Sequence, residues 1–286
     1  MKGLLQVLIH VLSLSLIISQ DYPKKKFYKR EKHASKIMGR DDRKYGDHSG
    51  NRVLCRFYNH GSIGDQSSSF SGVYPIGSGH SYIWEFSPVV AASVVDTNGF
   101  RRHIVSDGIS GLVDASPEGT PWSFEPLSGY SNPNQENLAM SDNENSWPNS
   151  WPNRTVDWNG EWNGQYGKYV RADQESYFVV DDRYNSEFEF WPDQNDIPEG
   201  PTVSPDEHRR GLGIEMEARG YQWNHPAAED IIIVTYWITN VGSSALDSVV
   251  FGMYGDADIG GASSFSDDDA WFDTENDMVY QWDHDN

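Results

Sequence analysis

Apolar and polar positions alternate along much of the chain with the period of two that is typical of β-strands. The segment GIEMEAR shows this clearly, because the apolar side chains of Ile214, Met216 and Ala218 share one face and charged side chains occupy the other. Gly, Pro and Asn clusters separate the runs, and long helical patterns are nearly absent. The pattern predicts a mostly β fold, in which antiparallel β-sandwich-like units are joined by long loops rich in Gly, Pro, Asn and Trp.

The strand-like runs fall into two groups. RVLCRFYN, HSYIWEFSPVVAASVV and RRHIVSDGIS lie within residues 52–124, which we predict to form a first β unit. A second β-sandwich unit is predicted for residues 166–286. Between them, residues 125–165 are too rich in Pro, Gly and Asn for regular structure, and we name this segment the tryptophan loop.

The second unit contains a strong turn signal. The runs DIIIVTYWITN and DSVVFGMY, residues 230–254, are joined by VGSSAL, a pattern that predicts a β-hairpin. The residues that follow, from Gly255 onwards, are predicted to form an acidic loop.

The first 20 residues indicate export. Met1 and Lys2 precede the apolar run LLQVLIHVLSLSLIIS, which has the length of a secretory signal peptide with cleavage near Ser19 or Gln20. The alternative is an uncleaved membrane anchor. Residues 21–51 are basic and polar and are predicted to be a flexible linker. We therefore expect a secreted or cell-surface protein without a membrane span after signal cleavage.

Charge is distributed very unevenly. Residues 53–286 retain ten of the 22 basic residues and 38 of the 43 acidic residues, a net charge of −28. Such a body repels nucleic-acid phosphates and attracts cations, so a nucleic-acid partner is not expected. Cys55 is the only cysteine, which excludes an internal disulfide.

The acidic loop is a candidate calcium site. It contains ten carboxylates between Asp256 and Asp285 and no Lys or Arg. Ca²⁺ takes six to eight oxygen ligands from loops of this kind, although the twelve-residue EF-hand pattern is absent. The alternative is a solvated acidic loop. The candidate ligands are Asp256, Asp258, Asp267, Asp268, Asp269, Asp273, Glu275 and Asp277.

The tryptophan loop is a candidate carbohydrate-binding segment. Its sequence SWPNSWPNRTVDWNGEWNGQ contains two WPN and two WNG copies. Indole faces on loops stack on the apolar faces of sugar rings, and neighbouring Asn or Asp side chains bond hydroxyls. The alternative, which we favour, is that these rings pack the loop onto the sheet beneath it. The four residues are Trp147, Trp151, Trp158 and Trp162.

No catalytic motif is present. Glu215 and Glu217 are the nearest approach to a carboxylate pair, but they share one strand face with Arg219 and are predicted to form a solvent-facing ladder rather than a catalytic pair. The His and Cys spacings match no zinc site, and no phosphate-binding glycine motif occurs. Enzymatic activity is not predicted.

Three segments resemble a known group of proteins. ADQESYFVVDDRYNSEF, RRGLGIEMEARGYQWNHPAAED and VVFGMYGDADIGG look like parts of exported β-sandwich proteins of Bacteroidota and related marine bacteria, which often carry a C-terminal sorting domain typical of type IX secretion cargo. The resemblance covers roughly residues 50–286 and implies no known activity. Because the chain stops at WDHDN within an apparently continuing domain, we expect it to be an N-terminal fragment.

Together these features favour a secreted or cell-surface binding or structural module, stabilised by calcium. Its expected partners are extracellular polysaccharide or other surface proteins. The alternative is a polysaccharide-active enzyme or the carbohydrate-binding module of one.

Overall fold

The computed structural model describes residues 42–64, 70–110, 115–117, 119, 121–198, 208–259 and 267–284. The predicted mostly β fold is confirmed, with short 3₁₀ turns at Glu144–Ser146 and Val156–Trp158 in the tryptophan loop. The strands are β1 (Tyr45–His48), β2 (Cys55–Tyr58), β3 (Glu85–Val95), β4 (Arg101–Asp107), β5 (Glu125–Pro126), β6 (Ala139–Met140), β7 (Gln174–Asp181), β8 (Ile214–Gln222), β9 (Ile233–Asn240), β10 (Asp247–Asp256), β11 (Asp268–Asp273) and β12 (Met278–Asp283).

The predicted signal peptide and residues 21–41 of the predicted linker lie outside the described residues. The remaining linker residues belong to the fold, since β1 pairs with β2 and Arg43 forms an ion pair with Glu125 at 2.8 Å. Within the described ranges, none of the helices has the length and apolar character needed to cross a membrane.

The strands form antiparallel sheets. β10, β3 and β4 make one three-stranded sheet, and β5, β7, β8 and β9 lie side by side in a five-stranded sheet in which β6 also pairs with β7. β11 and β12 form a separate two-stranded sheet. Because β10 pairs with β3, strands from both predicted units share one sheet, and the predicted boundary at residues 125–165 does not separate the sheets.

One apolar cluster joins the two larger sheets. Val90 and Ile104 of the three-stranded sheet belong to the same cluster of buried residues as Phe178 and Val180 of the five-stranded sheet. The alternation predicted for β8 is confirmed, since Ile214, Met216 and Ala218 are all fully buried in this cluster. The sandwich arrangement itself stays a prediction.

The predicted hairpin between β9 and β10 is wrong. β9 pairs with β8, whereas β10 crosses to the other sheet and pairs with β3. The turn between them takes its hydrogen bonds from distant chain segments: Val241 N donates to Gly213 O at 2.8 Å, and Ser243 N donates to Pro192 O at 2.9 Å. A short Gly/Ser connection therefore forms a sheet-to-sheet crossing here.

The second face of β8 is not the solvent-facing ladder that its charges predicted. Arg219 is only 5% exposed, because residues of the tryptophan loop cover this face. Arg219 Nη1 donates to the carbonyl oxygen of Asn163 at 2.6 Å, and its guanidinium lies 3.8 Å from the centre of the Tyr177 ring. The charged half of the β8 pattern thus contributes to a polar, partly enclosed layer.

Candidate functional sites

The end of β10 and the start of β11 bring acidic side chains together. After β10 the chain runs beside the residues that precede β3, with Asp258 N donating to Tyr82 O at 3.4 Å. Ile259 N then donates to Asp268 Oδ2 at 3.1 Å, which fixes the first residue of β11 against this turn. We name this group the acidic cluster; it comprises Asp256, Asp258, Asp267, Asp268 and Asp283.

Two carboxylate oxygens of the acidic cluster are buried without partners. Asp258 is 6% exposed, and in the part of the chain that the structure describes neither its Oδ1 nor that of Asp268 accepts a hydrogen bond. Buried polar atoms normally have a partner, because leaving one unpaired costs about 1–3 kcal/mol. Burying these two carboxylate oxygens without a partner therefore costs the folded state free energy.

The electrostatics of the acidic cluster are consistent with this. Burial and the neighbouring charge of Asp256 raise the pKa of Asp258 above its ordinary value. Burial also raises the pKa of Asp268, and the negative charges of Asp258, Asp283 and Asp267 raise it further. No Lys or Arg follows Arg219 in the sequence, so this part of the chain has no cationic side chain of its own to balance the charge.

The predicted acidic loop contains a hairpin that the sequence interpretation missed. β11 and β12 pair through Asp268 and Asp283, and Asp283, a member of the acidic cluster, is 9% exposed. The sequence signal for this hairpin is a pair of strand-like runs, AWFD and MVYQWD, joined by the turn TEND. The sequence interpretation included Asp283 in the carboxylate count but did not select it as a ligand.

The other predicted metal ligands lie elsewhere. Asp273, Glu275 and Asp277 are at the tip of the hairpin, about 17 Å along β11 from Asp268 at ~3.3 Å per residue. There Asp273 Oδ1 accepts a hydrogen bond from Glu275 N at 2.9 Å, which stabilises the turn. Asp269 instead contacts His284, with Oδ2 at 2.8 Å from Nδ1. Of the eight predicted ligands, the structure brings four into the acidic cluster.

Across the described ranges, no group of three or more His, Cys, Asp or Glu side chains is arranged to hold a metal ion. A cation at Asp258 and Asp268 would therefore need further oxygen ligands from outside these side chains. Ca²⁺ accepts such mixed oxygen ligands at 2.3–2.6 Å in flexible geometry.

The tryptophan loop forms a second apolar cluster. Trp151 and Trp162 are 3% and 2% exposed, and they pack with Tyr177 and Val179 of β7. Trp147 and Trp158 are partly buried against the same cluster. The faces of Trp151 and Trp162 are thus covered by protein, which is the packing arrangement that the sequence interpretation favoured over sugar stacking.

At the edge of the tryptophan loop lies a small cavity of about 60 Å³, which we name the arginine pocket. It joins loop residues to β8 and to the edge strand β9. Sequence reasoning missed it, because its members are far apart in the chain and no spacing connects them. Its lining residues are Arg154, Gln165, Glu217, Arg219, Thr235, Tyr236 and Trp237.

No family model, curated protein or solved structure matches this chain. Functional proposals for it therefore depend on the geometry of its own residues.

Proposed function

We propose that this chain is a secreted or cell-surface binding and structural module whose last strands are stabilised by Ca²⁺ at the acidic cluster. The observation that carries the calcium proposal is the pair of buried, unpartnered oxygens, Oδ1 of Asp258 and Oδ1 of Asp268. A cation between the turn after β10 and the start of β11 would give both oxygens a partner. It would also offset the burial and the mutual repulsion of these carboxylates, which raise the pKa values of Asp258 and Asp268.

Calcium suits this position better than a softer metal. The side-chain donors of the acidic cluster are carboxylates, and oxygen donors favour hard cations over metals that bind sulfur or imidazole. Export, which the N-terminal apolar run predicts, would place the protein where calcium is abundant. The resemblance of three segments to exported proteins of Bacteroidota supports the same extracellular setting.

We expect calcium to raise the melting temperature of the full chain, and EDTA to reverse the rise. For a dissociation constant of about 0.1–1 mM, as in extracellular modules, about 10 mM CaCl₂ would stabilise the folded state by about 1.4–2.7 kcal/mol. This corresponds to a rise of roughly 3–10 °C for a chain of this size. Differential scanning calorimetry in CaCl₂ and in EDTA measures it.

The control uses matched charge changes. D258N and D268N should lose the calcium response, whereas E275Q, at the opposite end of the β11–β12 hairpin, should retain it.

In EDTA, wild type should gain stability relative to D258N as the pH falls from 7, since a carboxyl whose folded pKa is raised favours the folded state when protonated. A melting temperature that calcium leaves unchanged would exclude the calcium proposal.

The second candidate function is the polysaccharide-active enzyme or its carbohydrate-binding module. Because Trp151 and Trp162 are buried, these two rings do not offer a surface on which a sugar could stack. The arginine pocket supports a carbohydrate-binding role instead, because the exposed Trp237 ring lies at its rim.

A further inference from the structure

The arginine pocket concentrates positive charge in an acidic body. Its lining contains two guanidiniums, Arg154 and Arg219, and one carboxylate, Glu217, a formal charge of +1. Residues 53–286 carry a net charge of −28. Electrostatic interactions are screened within about 8 Å at physiological salt, so a small anion inside the pocket would be affected mainly by these nearby groups.

Both guanidiniums are held in place by neutral partners. Arg154 Nε donates to Asn163 Oδ1 at 2.7 Å, and Arg219 Nη1 donates to the main-chain oxygen of the same residue at 2.6 Å. Arg154 also stacks on Trp158, 4.4 Å from the ring centre. Burial, together with the charge of Arg219, lowers the pKa of Arg154, so an anion in the pocket would stabilise its charged form.

The remaining lining groups are preorganised as well. Tyr177 Oη donates to Glu217 Oε2 at 3.2 Å, and Asn153 Nδ2 donates to Tyr177 Oη at 2.8 Å. Gln165 Oε1 accepts a hydrogen bond from Tyr221 Oη at 2.8 Å, which orients the amide. Such fixed donors and acceptors lower the entropic cost of binding a ligand.

The size of the cavity limits what enters it. A volume of about 60 Å³ is less than half of the ~150 Å³ of a cavity that holds one benzene ring, so there is room for a carboxylate or sulfate group but not for a whole sugar ring. Trp237, on the edge strand β9, is 47% exposed and lies at the rim. Its indole offers an apolar face beside the polar cavity, and Thr235 and Gln165 offer hydrogen bonds to hydroxyls.

We propose that the arginine pocket binds an anionic sugar residue of a polysaccharide, with its carboxylate or sulfate group between Arg154 and Arg219 and its ring against Trp237. This inference rests on the binding role proposed above and names its ligand class. Paired guanidiniums recognise such oxyanions through charge-assisted hydrogen bonds. Ligand sites commonly combine aromatic side chains with a few precisely placed polar groups.

Calorimetric titration of the full chain tests this with three probes of equal length: a galacturonic acid trimer, a sulfated galactose trimer and a neutral glucose trimer. We expect at least one charged trimer to bind at least about tenfold more tightly than the neutral one, and R154Q and W237A each to weaken it by about tenfold or more. The charged trimer that binds identifies the anion.

The matched controls are R171Q and W271A. Arg171 stacks on Tyr166 and Tyr169 outside the pocket lining, and Trp271 is an exposed indole on β11. Both variants should bind like wild type. W237A removes an exposed ring, so it keeps the test valid if R154Q fails to fold.

The inference is overturned if neither charged trimer binds more tightly than the neutral one, or if folded W237A binds like wild type. Running each titration in CaCl₂ and in EDTA separates this result from the calcium proposal, which is judged by the melting temperature and by titration with CaCl₂ without any sugar.

Discussion

Replacement of Trp162 by alanine is expected to lower the free energy of unfolding by about 3–5 kcal/mol, the usual cost of removing a large buried aromatic side chain. The Trp162 ring lies 5.4 Å from that of Trp147 and 6.0 Å from that of Trp151, between centres. Its Nε1 also donates to Glu175 Oε2 at 2.7 Å, so the variant leaves a buried carboxylate without this donor. Urea denaturation of W162A measures the loss.

The control for this prediction is W271A, which removes an indole that is 62% exposed and should change stability by less than about 1 kcal/mol. The result also separates the two interpretations of the tryptophan loop. If Trp162 were a sugar-stacking residue and not a core residue, W162A would keep wild-type stability and lose only glycan binding.

The second large effect is expected at Asp182, which connects β7 to β8 and β4. This buried carboxylate accepts hydrogen bonds from Leu212 N at 2.6 Å, Ile214 N at 3.0 Å and Ser106 Oγ at 3.0 Å. D182A leaves these buried donors unpaired, so we expect it to lower the free energy of unfolding at pH 7 by about 3–5 kcal/mol. The matched control is D230A, whose exposed carboxylate contacts Arg52 and the Tyr74 hydroxyl; an exposed ion pair of this kind is worth at most about 1 kcal/mol.

The pH dependence of D182A has a definite sign. Burial raises the pKa of Asp182 to about 6, above the ordinary value of about 3.9. The folded protein therefore takes up a proton more readily than the unfolded chain, and this stabilising contribution is lost as the pH rises through 6. The stability difference between wild type and D182A should grow as the pH is lowered from 7 towards 5. A difference that shrinks over this range would show that Asp182 is held mainly as an anion.

Local periodicity predicted the strands more reliably than their partners. The alternation of Ile214, Met216 and Ala218 was enough to identify β8 and its buried face. The crossing between β9 and β10 could not be predicted in the same way, because its Gly/Ser turn is also typical of a hairpin. What decides it is the pairing of Val241 and Ser243 with Gly213 and Pro192, which are remote in sequence.

The candidate sites show the same limit. Counting carboxylates identified the right region for the acidic cluster, but the register of β11 and β12 decides which of them meet. It places Asp283 opposite Asp268 and moves Asp273 to the far end of the hairpin. The arginine pocket has no sequence signature, since Arg154 and Arg219 converge only when the tryptophan loop folds over β8.

Calcium binding at the acidic cluster is measured most directly by isothermal titration of the metal-free full chain with CaCl₂, alongside D258N, D268N and E275Q. Wild type and E275Q are predicted to bind one Ca²⁺ with a dissociation constant of about 0.1–1 mM, and D258N and D268N to bind at least about tenfold more weakly. Equal binding by all four proteins, or no binding by wild type, would contradict calcium stabilisation through Asp258 and Asp268.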